Sequence, residues 1–345
     1  MPMAWMIYGA NGYTGELVAR LAVARGERPV LAGRNAVAIG ALAAELGLEH
    51  RVADLRDPGK LLDGVRAVAH CAGPFSATSA PMVDACLAAG THYLDVTGEI
   101  DVFEAVFARH DDAVAAGIVL LPGAGFDVVP TDCLAASLHA ALPGATSLEL
   151  AFRAGGGLSP GTARSSLAGI ASGGRIRRGG VLVPVAVGTP RRRVPLPSGE
   201  REVAAIRWGD LVTAYRSTGI PDITTYTVLP SGGRGAGLAS VLSWRPLRAL
   251  ATRYVTARIH GPSASVRASS RCEVWGAVRD ASGASMTATL TGPNAYDLTA
   301  DSVVRAVGLV LAGGVSAGAH TPSTAFGAGY AATLDGVLVT PPQPA

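Results

Sequence analysis

An apolar run, Trp5-Met6-Ile7-Tyr8, opens straight into a turn carrying Gly9, Gly12 and Gly15 and then into an amphipathic stretch. No other feature constrains the chain as much. A strand that turns at once into a helix needs residues without a Cβ at the turn, and it aims the first helical N–H groups beyond the strand end. A pyrophosphate suits that place, because backbone donors approach it closely and the positive end of the helix favours its charge. The spacing is G-x-x-G-x-x-G rather than G-x-G-x-x-G, a variant of the dinucleotide fingerprint whose meaning depends on its neighbours in the chain. Asn11, Tyr13 and Thr14 join the glycines as candidate cofactor contacts, Thr14 through its hydroxyl and Tyr13 by packing against the domain edge.

The next element is a second strand. Arg28-Pro29-Val30-Leu31-Ala32-Gly33-Arg34-Asn35 ends where a nucleotide-binding βαβ unit meets the adenosine ribose, and no acid stands there to take a ribose 2′-OH. Gly33 leaves room, and Arg34 offers a planar, permanently charged fork suited to a 2′-phosphate, so NADP is expected in preference to NAD. Arg34 as an ordinary solvated loop arginine is the competing view. Asn35 adjoins this subsite. Asp54, ending a third strand, either bonds the adenine amino group or caps the strand end.

The chain has 345 residues, more than one ordinary domain, so two are expected. After the first two strands, further ones are expected at 50–53, 67–71, 92–95 and 118–121; helices are expected from 12 to about 25 and at 36–46, 80–89 and 102–116. Gly47, Gly90 and Gly117 punctuate the helix ends. The pattern implies an α/β fold: a Rossmann-type, doubly wound parallel sheet over residues 1–125. Over 126–295 it implies a second α/β domain containing a mostly antiparallel sheet, with strands at 147–153, 181–187, 203–206, 223–229, 272–278 and 285–290. Asp280-Ala281-Ser282-Gly283 reads as the turn of a hairpin. A helix at about 299–312 and a strand at 337–340 belong to a segment, 296–345, expected to complete the first domain.

Composition removes several function classes. Hydrophobic residues make up 49% and charged ones 16%, yet no uninterrupted apolar run reaches membrane-spanning length, so no integral membrane segment is expected. The first residues lack the basic and apolar regions of a secretion signal, so the protein is expected to be cytoplasmic. A net charge of +3 with dispersed basic residues excludes a nucleic-acid-binding profile. Four scattered cysteines and seven scattered histidines give neither a disulfide scaffold nor metal-ligand spacing, so no metal is expected. No G-x-S-x-G elbow or Walker loop is present. Arg175, Arg177, Arg178, Arg191, Arg192 and Arg193 form a cluster with two explanations, a solvated hairpin edge or a landing patch for an acidic carrier protein or a coenzyme A phosphate.

Gly9 to Gly15, Leu31-Ala32-Gly33-Arg34, Cys71-Ala72-Gly73-Pro74-Phe75, Tyr93-Leu94-Asp95-Val96-Thr97-Gly98-Glu99 and Gly125-Phe126-Asp127-Val128-Val129-Pro130-Thr131-Asp132 together resemble the saccharopine dehydrogenase-like family, in particular its trans-acting enoyl reductase branch. Downstream motifs such as Ser217-Thr218-Gly219-Ile220-Pro221 and Thr321-Pro322-Ser323-Thr324-Ala325-Phe326-Gly327 extend the resemblance over nearly the whole chain. It implies an NADP-binding domain completed by C-terminal elements and a central domain that helps form the substrate pocket. The loops holding Cys71, Ala72, Gly73 and Pro74, then Thr97, Gly98 and Glu99, then Gly125, Phe126 and Asp127, are expected to border the nicotinamide. Asp127 serves there either in catalysis or as a helix cap.

The leading expectation is an NADPH-dependent oxidoreductase that reduces a conjugated C=C bond, of enoyl type, in a small apolar or acyl-type substrate. Tyr215 and Asp127 are the candidate catalytic residues. The alternatives are imine (C–N) reduction, as in saccharopine reductases, and a non-catalytic NADP-binding scaffold. A homodimer is a candidate assembly.

Overall fold

The computed structural model describes residues 5–56, 58, 61–171, 173–228 and 258–345. The chain divides into two compact units, Met1–Val129 with Tyr296–Phe326 and Pro130–Ala295 with Gly327–Ala345.

The first unit is built on a parallel sheet of seven strands. Strands β1 (Trp5–Tyr8), β2 (Val30–Gly33), β3 (His50–Val52), β4 (Ala67–His70), β5 (His92–Asp95) and β6 (Val119–Leu121) run in the order β3-β2-β1-β4-β5-β6, with the short strand Gly318–Ala319 parallel to β6 at the edge. Every residue of β1, β2 and β4 is buried, as expected of central strands covered on both faces. Tyr8 pairs with Ala32 on one side and His70 on the other, which brings the carboxyl ends of β1, β2 and β4 together at the point where the strand order reverses. The expected fold class is the observed one.

Helix α1 (Tyr13–Ala24) follows the glycine turn, and α2 (Ala36–Leu46) has the bounds its capping residues dictate. Asn35 accepts the Ala38 N–H at 3.1 Å, and Gly47 closes the helix at φ 65°. Helix α3 (Phe75–Ala89) begins five residues before the expected Ala80, because a carboxylate distant in sequence caps its first turn. The single helix expected at 102–116 is two, α4 (Ile100–Phe107) and α5 (His110–Ala116). Between them Arg109 bonds Asp84 and Asp112, each at 2.5 Å.

In the second unit the sheet has nine strands and is mixed. Helix α6 (Val129–Ala141) leads to β7 (Ala145–Arg153); helix α7 (Pro160–Ala171) precedes β8 (Gly174–Arg178), β9 (Val181–Val185), β10 (Arg191–Leu196) and β11 (Gly199–Ala205); helix α8 (Asp210–Thr218) precedes β12 (Asp222–Val228), β13 (Cys272–Asp280) and β14 (Ser285–Gly292). Leu229, expected at the end of β12, lies outside the described residues. Among the described residues of this sheet only the β7–β12 pair is parallel. One face receives α6: a Cβ on Gly276 would stand 2.7 Å from Leu138 Cδ1, so the helix seats where the sheet lacks a side chain. Against the other, Ile176, Val194, Leu196, Val203, Tyr226 and Trp275 form a buried cluster.

The C-terminal segment expected to return whole to the first domain is divided. Helix Ala295–Leu311 and strand Gly318–Ala319 do so, whereas Leu338–Pro344 pairs antiparallel with β14 and satisfies that strand's open edge. The arginine-rich strands β8 and β10 flank β9 in the chain, and β10 is stabilised by partners across the ladder. Arg193 meets Glu200 at 3.0 Å and Arg191 meets Glu202 at 3.9 Å.

Candidate cofactor and catalytic site

At the end of β1 the backbone turns so tightly that side chains are excluded. Gly9 has φ +84°, and a Cβ there would stand 2.8 Å from the Ala72 Cβ; one on Gly15 would collide with the Gly9 carbonyl oxygen. The Gly12 N–H donates to the Gly9 carbonyl at 2.9 Å, and no side chain caps the helix that Gly12 opens. This leaves a concave backbone surface at the positive end of a twelve-residue helix, the arrangement a pyrophosphate requires. Thr14 lies in the first turn, and the Tyr13 ring packs edge-on against Tyr296 at 4.9 Å, the packing role expected of it.

The subsite at the end of β2 differs from expectation in one respect. The space beside Gly33 is not open: a Cβ there would meet Ile39 Cδ1 at 3.0 Å and Asn11 Oδ1 at 3.1 Å. The glycine instead admits the phosphate turn against β2, because Asn11 and Ile39 occupy the volume a side chain would need. Arg34 is exposed beside it, while the Asn35 side chain is engaged in capping α2. Asp54 accepts the Arg56 N–H at 2.9 Å and the Arg56 guanidinium at 3.1 Å, which together with nearby Arg34 hold its carboxyl below the usual carboxylate range. The Arg56 N–H bond closes a local turn just after β3.

Along the ends of β4, β5 and β6 the loops are tied to one another by the buried Asp95 and the half-buried Glu99. Asp95 is 1% exposed and receives the Tyr93 hydroxyl at 2.7 Å, the Gly123 N–H at 2.8 Å and the Thr97 N–H at 3.0 Å. Burial raises its carboxyl to about 6 against those bonds, so it titrates close to neutrality. Thr97 is buried, and its hydroxyl accepts the Glu99 N–H at 3.1 Å. Glu99, expected to touch the cofactor, directs its carboxylate at the first turn of α3, accepting Phe75 N–H and Ser76 N–H at 2.9 Å each. Cys71 leads into exposed Gly73 and Pro74, and burial with the nearby Asp95 charge pushes its thiol up to about 12, which keeps it protonated.

Gly98 and Asp127 meet. A Cβ on Gly98 would stand 2.9 Å from Asp127 Oδ2, so the glycine is what admits the carboxyl. Burial raises that carboxyl to about 7. The adjacent Phe126 N–H donates to Thr299 Oγ1 at 2.9 Å, and Gly125 packs against the same threonine. The loops after β5 and β6 and the returning helix thus meet beside Asp127.

Within the second unit Tyr215 lies on α8, 37% exposed, with the Arg177 guanidinium 4.1 Å from its ring centroid. Arg177 is buried and donates to the Leu211 carbonyl at 2.6 Å and to the Gly180 carbonyl at 2.5 Å. The remaining arginines of the cluster are dispersed: Arg178 bonds Asp222, and Arg192 bonds Glu149 while lying over the Trp275 ring. Such pairing suits a structural hairpin edge.

Asp95, His70 and Thr299 are residues that motif reading did not single out. The Tyr93-x-Asp95 spacing on a buried strand was the available signal for Asp95, since residues two apart share a face. Among the described residues no group of three or more His, Cys, Asp or Glu is placed to hold a metal ion, and no helix is long and apolar enough to cross a membrane.

Residues 5–121 match the family model described as the saccharopine dehydrogenase NADP binding domain. A trans-acting enoyl reductase from Mycobacterium leprae is 33% identical over 138 residues, covering 37% of this chain and 33% of that protein. A probable mitochondrial saccharopine dehydrogenase-like oxidoreductase from Arabidopsis thaliana is 31% identical over 150 residues, 37% of this chain and 32% of its own length. The match spans about a third of these relatives. An apo histidine-tagged saccharopine dehydrogenase (L-Glu forming) from Saccharomyces cerevisiae shares the fold, with TM-score 0.64 and 13% identity over 98% of this chain and 100% of that one.

Proposed function

From the match of residues 5–121 to the saccharopine dehydrogenase NADP binding domain, we propose that this chain is an NADPH-dependent reductase of a conjugated C=C bond in a small apolar or acyl-type substrate. The cofactor side is supported by the glycine cradle, whose backbone donors and helix end suit a pyrophosphate, and by Arg34, whose exposed guanidinium suits a 2′-phosphate. The enoyl assignment is supported by the relatives that bear that name.

Asp127 is the observation that carries the chemistry. A bound NADPH supplies hydride for the β-carbon of the acceptor. The chain's part is to deliver a proton to the α-carbon, and a carboxyl that burial raises to about 7 carries a proton in part of the molecules at neutral pH and gives it up readily. The Asp127 carboxylate left behind recovers its proton from water, so hydrogen and charge balance over the turnover. Gly98 keeps the place the carboxyl needs, and the Phe126–Thr299 bond fixes the adjacent backbone. Tyr215, under Arg177, is the weaker donor because its ring serves that stack.

The test is steady-state turnover of NADPH with a panel of enoyl thioesters. Asp127→Asn is expected to lower kcat by about 100-fold or more with NADPH binding retained, and Tyr215→Phe to change it by less than about threefold. Turnover of cyclic imines with none of enoyl thioesters would move the assignment to C–N reduction, and tight NADPH binding without transfer to either would make the chain a binding protein.

A further inference from the structure

His70 ends β4, fully buried, immediately before the loop Cys71-Ala72-Gly73-Pro74. Its ring lies among those of Tyr8, Phe75 and Tyr93, with centroids at 5.5, 5.4 and 6.1 Å. Imidazole Nε2 stands 3.0 Å from Thr78 Oγ1. The threonine hydroxyl itself faces two carbonyls, Ala72 at 2.7 Å and Pro74 at 3.1 Å.

The protons of this chain of contacts can be assigned. A hydroxyl has one hydrogen, and carbonyls only accept, so the Thr78 hydrogen goes to Ala72 and Pro74. The oxygen must then accept from His70, which makes the imidazole the Nε2–H tautomer. Nδ1 is left unprotonated, buried and without a hydrogen-bond partner. The aromatic enclosure keeps the ring neutral, holding its pKa down at about 3.

We propose that His70 is a positioning residue for NADP: through Thr78 it orients the carbonyls at both ends of the Ala72–Pro74 loop and so holds Ala72 against Gly9 in the phosphate turn. The inference deepens the proposed function and rests on the cofactor lying along this loop. Ala72 is the neighbour that a Cβ on Gly9 would strike at 2.8 Å, so its placement bears directly on the shape of the cradle. Pro74 is the N-cap of α3, whose next two N–H groups are held by Glu99 from the other side. The loop is therefore clamped twice, by a carboxylate at its outer end and by the His70–Thr78 pair beneath it. Without the donor at position 70 the Thr78 hydroxyl is free to rotate away from Ala72, while the Pro74 bond, an ordinary contact to the preceding helical turn, survives.

The protein without cofactor gives the first test. Its imidazole nitrogen resonances should show His70 as a neutral Nε2–H ring from pH 8 to pH 5, and an Nδ1–H tautomer overturns the proposal. Titration with NADPH, read by nicotinamide fluorescence, gives the second. Thr78→Val and His70→Leu are each expected to raise Kd about tenfold, and the double variant no further than either alone. Thr78→Ser, which restores the hydroxyl, should bind within about twofold of the unmodified protein. Unchanged Kd in a cooperatively melting Thr78→Val, or loss of binding in Thr78→Ser equal to that in Thr78→Val, overturns the proposal. If His70→Leu fails to fold, the valine and serine pair decides alone. Failure of the folded, unmodified protein to bind NADPH is a separate result that defeats the cofactor placement and this inference with it.

Discussion

Two stretches of the same sheet edge in the first unit are built on opposite principles. At the ends of β1 and β2 the surface is backbone and glycine, with an uncapped helix end and an exposed arginine. At the ends of β4, β5 and β6 it is the buried Asp95 and His70 and the half-buried Glu99, each locked to neighbouring loops. The first arrangement suits a permanently charged anion, which needs fixed dipoles and no proton transfer. The second suits chemistry, because burial raises the Asp95 and Asp127 carboxyls toward neutral pH and pre-set loops hold them in register.

Substitutions that break one side should leave the other standing. The largest effect belongs to Gly9→Ala, where a methyl at φ +84° meets Ala72: loss of NADPH binding by about 100-fold and of about 2–4 kcal/mol of stability, read by fluorescence titration and denaturant unfolding. Next is Arg34→Asp, expected to weaken NADPH by about 10–100-fold with NADH binding little altered. An equal loss for both would remove Arg34 from the 2′-phosphate.

On the second side, Asp127→Asn should trade activity for stability. A carboxyl whose folded pKa lies above its unfolded one contributes stability that is complete below about pH 4 and is lost as pH rises through about 7. The asparagine variant, which cannot ionise, should therefore melt about 3–6 °C higher than the unmodified protein at pH 8, with the gap closing toward pH 4. A constant gap across that range would mean that Asp127 is not the group titrating. The smallest effect is Glu99→Ala, about 1 kcal/mol from loss of the α3 cap, with a modest rise in NADPH Kd because the Ala72–Pro74 loop loses one of its two clamps.

How far the sequence carried differs along the same line. The bounds of α2 were legible because Asn35 and Gly47 are local signals, needing only their own turn of helix. The start of α3 was not, because Glu99 reaches it from 24 residues away and nothing near Phe75 marks it. Strand β10 was hidden for a related reason: Arg191 and Arg193 find their partners only once Glu200 and Glu202 stand on the neighbouring strand. At the site, the glycine turn and Arg34 were visible as types and spacing. Gly33 was visible too but with the wrong purpose, since only packing shows that Ile39 and Asn11 fill the place beside it.

A strand, a glycine turn and a helix at the front of a parallel sheet, and with them a place for a dinucleotide phosphate, follow from local sequence, because those demands are met by backbone conformation and helix polarity within some twenty residues. Tertiary structure alone decided which carboxyls hold protons near neutral pH and which merely cap helices. Asp127, Asp95, Glu99 and Asp54 are the same chemistry in a string of letters. They part company when burial raises the Asp127 and Asp95 carboxyls, a flanking arginine lowers that of Asp54, and Glu99 is drawn to the first N–H groups of a helix.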